Sequence, residues 1–343
     1  MRDIKKVGAI GLKTVVYYMC TTAFAITIGL IGGNVFQRFF PVIATTDLAY
    51  EMPEKMSVMD TIVNIFPSNF ISPMVESNML QVIVIALLLG FSIIGLGEKN
   101  VGIVKACNSL NEVFMKCMEM ILKLSPIGVF CLLCPVVASN GTAIIGSLAM
   151  VLLAAYICYV LHATIVYSIA VKTMGGISPT RFFKEMLPAI MFAFSSASSV
   201  GTLPINMECV EKLGARKEVS SFVLPLGATI NMDGTSIMQG VAVVFTAQAF
   251  GIHLSMMDYA TVIGTATLAS IGTAGVPSVG LITLTMVFNS VGLPVEGIAL
   301  IMGIDRILDM TRTAVNITGD AVCTTVVASM NKAVDRDIYY GRK

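Results

Sequence analysis

The sequence predicts an all-α protein that crosses a membrane several times. Hydrophobic residues make up 56% of the 343 residues and charged residues only 13%, about half of the roughly 25% that is typical of soluble domains. Mean hydropathy is +0.84, and several apolar stretches reach the roughly 20 residues that a spanning helix needs. The formal net charge of +1 argues against nucleic acid as a partner. We therefore expect a multi-pass protein whose surroundings are the lipid bilayer.

The first part of the chain combines one long span with less regular segments. Residues 7–36 are apolar and long enough to cross a membrane. Residues 45–60 are polar and mostly acidic, which predicts a loop. The segments that follow predict a broken helix pair, an amphipathic helix and a short apolar continuation, at 62–70 with 79–96, 101–124 and 127–137. Within the last of these, Cys131 and Cys134 form a CxxC pair, but their apolar neighbours favour small core residues over a metal site.

The second part contains one clean span, 144–171, and three apolar segments that are interrupted at mid-length. These segments are 182–213, 219–250 and 259–291, and their interruptions are at 195–204, 227–235 and 269–280. Small hydroxyl residues followed by Gly and Pro cannot continue a lipid-facing helix, because the freed backbone groups need partners. We expect the first and third segments to be hairpins that re-enter on the same side of the membrane. The middle one predicts a broken helix whose centre presents carbonyl groups to a cation.

The last long segment, 295–330, carries charged residues at membrane depth. At about 100° per residue, five polar side chains fall within an arc of roughly 80° on one helix face: Asp305, Asp309, Arg312, Asn316 and Asp320. Each charge in such a place costs at least about 2.5–3.5 kcal/mol on insertion scales, so these groups normally face partners or a water-filled cavity. Three acids, an arginine and an amide on one face predict a site for small charged solutes and favour an ion-coupled transporter.

Basic residues predict the orientation. They cluster before the first span, on both sides of the first hairpin and at the C-terminus: Arg2, Lys5, Lys6, Lys172, Arg181, Lys184, Lys212, Arg216, Lys217, Lys332, Arg336, Arg342 and Lys343. If both hairpins re-enter, all these clusters lie on one side of the membrane and the acidic loop 45–60 lies on the other, as the positive-inside rule requires. We therefore expect a plasma-membrane protein with cytoplasmic basic loops and a cytoplasmic C-terminus.

Four motifs occur in a distinctive order: the serine-rich 195–204, the stretch Asn231-Met-Asp-Gly-Thr235, the second hairpin tip and 305–320. Together they resemble the sodium:dicarboxylate/amino-acid symporter family, which includes the excitatory amino-acid transporters, and the resemblance runs along essentially the whole chain. It implies an inverted-repeat transporter of the elevator type, in which a transport domain slides past a trimeric scaffold and the second hairpin acts as extracellular gate. Residues 1–37 and 138–343 would form the transport domain and 38–137 the scaffold.

The resemblance also implies roles for individual residues. Asp309 would hold the amino group of the substrate, and Arg312 would clamp its side-chain carboxylate, which suits a planar two-point donor. The rest of the substrate site would comprise Ser198, Ser199, Thr235, Thr313, Asn316 and the backbone around Val276.

Three sodium sites are implied in the same way, since carboxylate, amide and carbonyl oxygens satisfy a hard cation. The first would comprise Gly227, Asn231, Asn316 and Asp320; the second Thr229, Ser270, Ile271 and Thr273; the third Tyr18, Thr21, Thr22, Asn231 and Asp233. No organic cofactor is expected. Sodium and substrate would bind cooperatively if both order the same hairpin, because each then lowers the ordering cost of the other.

The chain departs from the family pattern in three places. Members normally have two more spanning helices before the segment that contains Tyr17, and Met1 begins where their connecting loop would be. Ala197 and Met310 stand where members that carry acidic amino acids have another arginine, and Val200 replaces a frequent serine. The expected function is sodium-coupled import of glutamate or aspartate. The alternatives are sodium- or proton-coupled symport of a C4-dicarboxylate, cystine or a neutral amino acid.

Two other classes of function explain parts of the pattern. An intramembrane enzyme would use Asp233 and Asp320 as a carboxylate dyad, but Arg312 would keep nearby acids ionised, and we expect no enzyme. A passive channel or anion pore would need a site open to both sides, which two gate-like hairpins argue against. His162 and His253 lack partners by spacing, so we expect them to be ordinary core or edge residues.

Overall fold

The structure is a computed structural model that describes residues 4–40, 66–75, 79–95, 101–124, 143–271 and 278–339, with single positions between 127 and 138 and Gly275. Regular structure in these ranges is helical, apart from one isolated antiparallel bridge between Ala215 and Val334. The predicted all-α class is confirmed. The predicted loop 45–60 lies outside the described residues, as do most of 127–137 and the positions of Thr273 and Val276.

The α-helices of four or more residues in the described ranges follow one another as α1 Ile4–Phe36, α2 Ser72–Val75, α3 Met79–Gly95, α4 Val101–Leu122, α5 Ala143–Leu161, α6 Pro179–Ser196, α7 Ser199–Lys212, α8 Lys217–Ile230, α9 Asp233–Ala249, α10 Met256–Ser270, α11 Val279–Ser290, α12 Gly297–Met302, α13 Asp305–Met330 and α14 Arg336–Tyr339. Within the described residues, two helical stretches are long and apolar enough to cross a membrane, Ile10–Phe39 and Ile145–Gly175.

The chain divides into two compact units. One consists of Met1–Pro53 and Thr142–Lys343, and the other of Glu54–Gly141. The second unit contains α2, α3 and α4. One prediction for this unit is wrong: residues 66–70, the described part of the predicted helix 62–70, are not helical and form bends. Asn69 explains this difference, because its Oδ1 accepts from the backbone N of Ile71 at 2.9 Å and of Ser72 at 2.7 Å, and such local bonds compete with a helix.

Helix α13 is the core of the first unit. From Arg312 to Ala328 every residue is buried, and α13 packs against α1, α6, α7, α8 and α9.

Helix α1 packs most extensively on α9, and glycines on both helices allow this close approach. An ideal Cβ on Gly29 would lie 2.4 Å from the carbonyl O of Ile237, and one on Gly240 would lie 2.7 Å from the backbone N of Leu30. The two backbones are therefore in direct contact, as in membrane helix pairs with small residues.

The three interruptions are present but narrower than predicted. Between α6 and α7 only Ala197 and Ser198 leave the helix, and Gly201 and Pro204 lie inside α7. Ala197 is left-handed with φ 52°, and the Ser198 Oγ accepts from the backbone N of Gly201 at 3.0 Å. Two residues thus cap both helix ends, which is why the break needs no more. The break between α8 and α9 consists of Asn231 and Met232, and the third lies between α10 and α11.

Two predicted helices also differ in their regularity. The last segment, 295–330, is two helices, α12 and α13, separated by Gly303 and Ile304. The span 144–171 begins as α5 and continues through two π-helical turns, His162–Tyr167 and Val171–Gly175, to the left-handed Gly176. Wide turns of this kind are rare inside helices and occur frequently at functional sites.

Candidate substrate and cation sites

The first turns of α13 bring two buried acids onto one buried arginine. Arg312 Nε donates to Asp309 Oδ1 at 2.8 Å, and Arg312 Nη1 donates to Asp305 Oδ1 at 3.0 Å. Asp305, Asp309 and Arg312 are 3%, 2% and 1% exposed. Two acids against one arginine leave this cluster with a formal charge of −1 when both acids are ionised.

One nitrogen of the Arg312 guanidinium, Nη2, makes an ion pair without a hydrogen bond to any described residue. This atom lies 2.8 Å from Asp309 Oδ1, yet it makes no hydrogen bond within the described part of the chain. Asp309 therefore compensates the charge of Nη2 at ion-pair distance, but the N–H groups of Nη2 have no aligned acceptor among the described residues. An anionic group beside Arg312 can accept a hydrogen bond from them.

Asp309 is also held by the start of α11. The backbone N of Ser278, which is left-handed with φ 61°, donates to Asp309 Oδ2 at 2.9 Å. Both carboxylate oxygens of Asp309 therefore have a partner, one from its own helix and one from the region of the predicted second hairpin tip. A movement of this tip would release one oxygen of Asp309.

A small cavity adjoins Asp309 and Arg312. Its volume is about 10 Å³, which corresponds to roughly one water molecule. The residues that line it come from all three interrupted segments and from α13: Ala197, Ser199, Met232, Thr235, Gly275, Val279, Asp309, Arg312, Thr313 and Asn316. The predicted residues Ser199, Thr235, Asp309, Arg312, Thr313 and Asn316 are thus brought together here.

The first and third interrupted segments touch each other at this cavity. The backbone N of Val200 donates to the Gly275 O at 3.3 Å, and the Ser198 Oγ donates to the same oxygen at 3.4 Å. Ser198 is therefore placed at the contact rather than on the cavity wall. Any widening of the cavity between these segments must break these two hydrogen bonds.

Asn316 connects the cavity to the break between α8 and α9. Its Oδ1 accepts from the backbone N of Gly234 at 2.7 Å, and its Nδ2 lies 3.4 Å from both Thr235 Oγ1 and Met232 Sδ. Its backbone O accepts from Asn231 Nδ2 at 2.9 Å. The same Asn231 Nδ2 donates to Asp320 Oδ1 at 2.9 Å.

The residues of the predicted first cation site lie close together around Asp320, which is 1% exposed. An ideal Cβ on Gly227 would lie 2.5 Å from Asp320 Oδ1 and 2.4 Å from the Tyr18 hydroxyl, so only glycine allows α8 to approach this closely. Asn231 Oδ1 is buried and makes no hydrogen bond to any described residue. An unpaired amide oxygen beside a buried carboxylate is a donor set that suits a hard cation.

Asp233, from the predicted third site, is surrounded by neutral hydrogen-bond donors. Thr22 Oγ1 donates to Asp233 Oδ1 at 3.0 Å, and the Tyr167 hydroxyl donates to Asp233 Oδ2 at 2.8 Å. The other predicted members bond elsewhere: the Tyr18 hydroxyl donates to the Val223 O at 3.3 Å and Thr21 Oγ1 to the Tyr18 O at 3.2 Å. The structure therefore brings Thr22 onto Asp233, but not the hydroxyl groups of Tyr18 and Thr21.

His162 corrects the expectation that it lacks a partner. Its Nε2 lies 3.2 Å from Asp233 Oδ2, with both side chains 0% exposed. His162 and Tyr167 are the first and last residues of a π-helical turn. Residues five apart in an α-helix point about 140° away from each other, so the wider π turn allows both to reach one carboxylate. Sequence spacing offers no signal for this, because Asp233 is distant in the chain; His253 is exposed.

The predicted second cation site is not assembled by hydrogen bonds between its described members. Thr229 Oγ1 donates to the Leu226 O at 3.0 Å, and Ser270 Oγ donates to the Thr267 O at 2.7 Å, each within its own helix. The backbone N of Ile271 donates to the Leu268 O at 3.1 Å. This site stays a prediction.

Comparison with known proteins finds similar sequences along nearly the whole chain. Residues 1–330 match the sodium:dicarboxylate symporter family. The chain is 34% identical over 346 residues to a proton/glutamate-aspartate symporter of Escherichia coli (strain K12), which covers 97% of this chain and 79% of the relative. It is 33% identical over 333 residues to a proton/sodium-glutamate symport protein of Bacillus subtilis (strain 168), at 94% and 77% coverage. A C4-dicarboxylate transport protein of Laribacter hongkongensis (strain HLHK9) is 32% identical over 346 residues, at 98% and 78%. The chain therefore belongs to the sodium:dicarboxylate symporter family, whose members are transporters and not enzymes.

Proposed function

We propose that this protein is a sodium-coupled symporter that imports glutamate or aspartate across the cell membrane. The observation that carries the proposal is the buried pair of Asp309 and Arg312 on one cavity wall. An acidic amino acid has an ammonium group for the acid and a side-chain carboxylate for the guanidinium. Two of the relatives above are named as symporters of glutamate or of glutamate and aspartate.

In this proposal Arg312 Nη2, which makes no hydrogen bond to a described residue, donates to the side-chain carboxylate of the substrate, and Asp309 binds its ammonium group. The polar groups around the cavity hold the rest of the substrate, with Ser198, Ser199, Thr235, Thr313, Asn316 and the backbone at Val276 in this role. The cavity is smaller than an amino acid, so the substrate enters only when the segment that contains Gly275 and Ser278 moves away. That segment is therefore proposed as the gate.

Two of the three cations bind beside the buried carboxylates Asp320 and Asp233, and the remaining one binds hydroxyl and backbone oxygens alone. We assign one sodium to Gly227, Asn231, Asn316 and Asp320, and a second to Tyr18, Thr21, Thr22, Asn231 and Asp233. A third belongs to Thr229, Ser270, Ile271 and Thr273. Coupling has a short physical route: Asn231 contacts Asp320 and the backbone of Asn316, and the side chain of Asn316 lines the substrate cavity. Sodium at Asp320 thus orders a residue that the substrate uses.

The proposal includes the architecture implied by the family. The pairs α6/α7 and α10/α11 are re-entrant hairpins, with basic loops and the C-terminus in the cytoplasm. Residues 1–37 and 138–343 form a transport domain that moves as an elevator, and 38–137 belong to the scaffold of a homotrimer. The division of the chain into two compact units supports such a separation.

C4-dicarboxylate symport is the second candidate, because a relative with that name is nearly as similar as the glutamate symporters. Succinate has no ammonium group, so it would place a carboxylate or a methylene group opposite Asp309. With Asp305 also in contact with Arg312, the site already has more acids than bases. The charge balance therefore favours the amino acid.

The test uses radiolabelled aspartate with the purified full chain, in sodium chloride against potassium chloride, after size exclusion has shown a folded oligomer. We expect saturable binding in sodium only, with weak competition by succinate, cystine or serine. Uptake into vesicles with a sodium gradient at equal pH, and with a pH gradient without sodium, separates sodium from proton coupling. Aspartate binding that is unaffected by sodium, or succinate that competes better than glutamate, would contradict the assignment.

A further inference from the structure

The guanidinium of Arg312 packs against Gly280, a residue without a side chain. An ideal Cβ on Gly280 would lie 2.5 Å from Arg312 Nη1 and 2.8 Å from Arg312 Cζ. Gly280 is buried in the first turn of α11, and its φ is not in the left-handed region. Its backbone conformation is therefore open to any residue, and the reason for a glycine here is space for the guanidinium.

The backbone at Gly280 cannot easily retreat from the arginine. The Gly280 O accepts from Thr283 Oγ1 at 3.2 Å, and Thr283 Oγ1 accepts from Gln239 Nε2 at 2.8 Å. Gln239 belongs to α9 and is 2% exposed. This chain of hydrogen bonds ties the start of α11 to the packed core, so an added methyl group at position 280 displaces the guanidinium rather than the helix.

The arginine has little freedom to absorb such a displacement. Asp309 binds it at Nε, and Asp305 binds it at Nη1, the nitrogen that is nearest to Gly280. Ser278, two residues before Gly280, donates to Asp309. One turn of chain therefore contacts both the acid and the arginine of the proposed substrate site.

We propose that Gly280 is a specificity-determining residue: the absence of a side chain there sets the position of the Arg312 guanidinium and thereby the preference for substrates with a second carboxylate. This inference rests on the proposed function. In enzymes, a misplacement of about 1 Å can lower the reaction rate roughly a hundredfold, and we expect a displaced guanidinium to weaken carboxylate binding in the same direction. A methyl group at position 280 should therefore weaken the binding of aspartate and leave a substrate without a side-chain carboxylate almost unaffected.

The experiment compares Gly280→Ala with Gly264→Ala in the purified full chain. Gly264 lies inside α10, and an ideal Cβ there meets no atom within 4 Å, so this control repeats the change in helix propensity without the contact. We measure the dissociation constants of L-aspartate and L-serine in saturating sodium. The expected result is that Gly280→Ala lowers the affinity for aspartate relative to serine at least about tenfold, while Gly264→Ala leaves the ratio unchanged.

A second arm covers the case in which Gly280→Ala folds poorly. Arg312→Ala removes the two nearest atoms that the new methyl would contact, and the third, Met238 Cε at 3.1 Å, is the flexible end of a side chain. The double variant Gly280→Ala/Arg312→Ala should therefore melt close to the temperature of Arg312→Ala alone. An unchanged ratio of the aspartate and serine dissociation constants in a folded Gly280→Ala protein overturns the inference and leaves the proposed function intact. The inference also fails if Gly280→Ala lowers the melting temperature of the Arg312→Ala protein as much as it lowers that of the unmodified protein. Failure of the unmodified protein to bind aspartate overturns both.

Discussion

The acids at the two ends of the polar part of α13 are neutralised in different ways. Near its start, Asp305 and Asp309 are paired with Arg312. Just past the middle of α13, Asp320 accepts a hydrogen bond from Asn231, and Asp233 of α9, packed nearby, contacts neutral donors and one histidine. A buried carboxylate without a positive partner is costly. The first region contains an arginine as counter-charge, whereas Asp320 and Asp233 form no ion pair with a lysine or arginine among the described residues, which is why we propose that cations bind there.

This difference explains why substrate and cation should meet different ends of one helix. The arginine region can exchange one anionic partner for another and keep its charge balance. The Asp320 and Asp233 region gains most from a bare cation, because each added positive charge replaces a desolvation penalty with a direct bond. The four predictions below test this contrast.

The largest effect is expected from Arg312→Ala. It leaves Asp305 and Asp309 buried without their cation, a change that costs about 3–5 kcal/mol in comparable buried pairs, and it removes the proposed carboxylate clamp. Aspartate uptake should be abolished, and a neutral amino acid can then be accepted in its place. Uptake of labelled aspartate and serine by vesicles, with thermal unfolding of the variant, measures both effects; unchanged aspartate affinity would refute the role of Arg312.

Asp320→Asn should give the opposite stability result. The substitution removes a buried charge, so the melting temperature without sodium should stay equal or rise. The increase in melting temperature that sodium causes in the unmodified protein should be largely lost, since a ligand stabilises only through its binding. A melt in increasing sodium chloride, with choline chloride at equal ionic strength as control, measures this, and a retained sodium shift would argue that Asp320 is not a cation ligand.

His162→Ala should have an intermediate effect. It removes a buried partner of Asp233, which we expect to lower stability by about 1–3 kcal/mol, and to weaken sodium binding more than aspartate binding at saturating sodium. Tyr167→Phe is the matched variant, because it removes only the hydroxyl that donates to the same oxygen. Denaturant unfolding and sodium titration measure the two effects. Equal sodium affinity in both variants and the unmodified protein would show that these residues support the fold alone.

The smallest effect is expected from Ser198→Ala. The change removes the cap at the start of α7 and should cost about 1 kcal/mol, while the charged groups of both regions stay in place. Ser221→Ala is a suitable control, because the Ser221 hydroxyl is exposed and donates only within its own helix. A drop in stability of similar size in both variants would contradict the capping role.

The sequence predicts the polar face of α13 well, because helix periodicity alone brings Asp305, Asp309 and Arg312 together. It also locates the breaks, since serine, glycine and proline runs cannot continue a lipid-facing helix. It overestimates their length because capping by Ala197 and Ser198 needs only two residues. It misses His162 and Tyr167 entirely. Their position depends on a π turn and on packing against a distant helix, and neither leaves a periodic signal.

The glycine contacts between α1 and α9 have a consequence for experiments on movement. Because the two backbones touch at Gly29 and Gly240, we expect α1 and α9 to move together, and Asp233 with them, in any movement of the proposed transport domain. Cys20 lies on α1 and is exposed. A spectroscopic probe attached to this thiol would therefore report the displacement of the polar core itself, from a position that no proposed ligand touches.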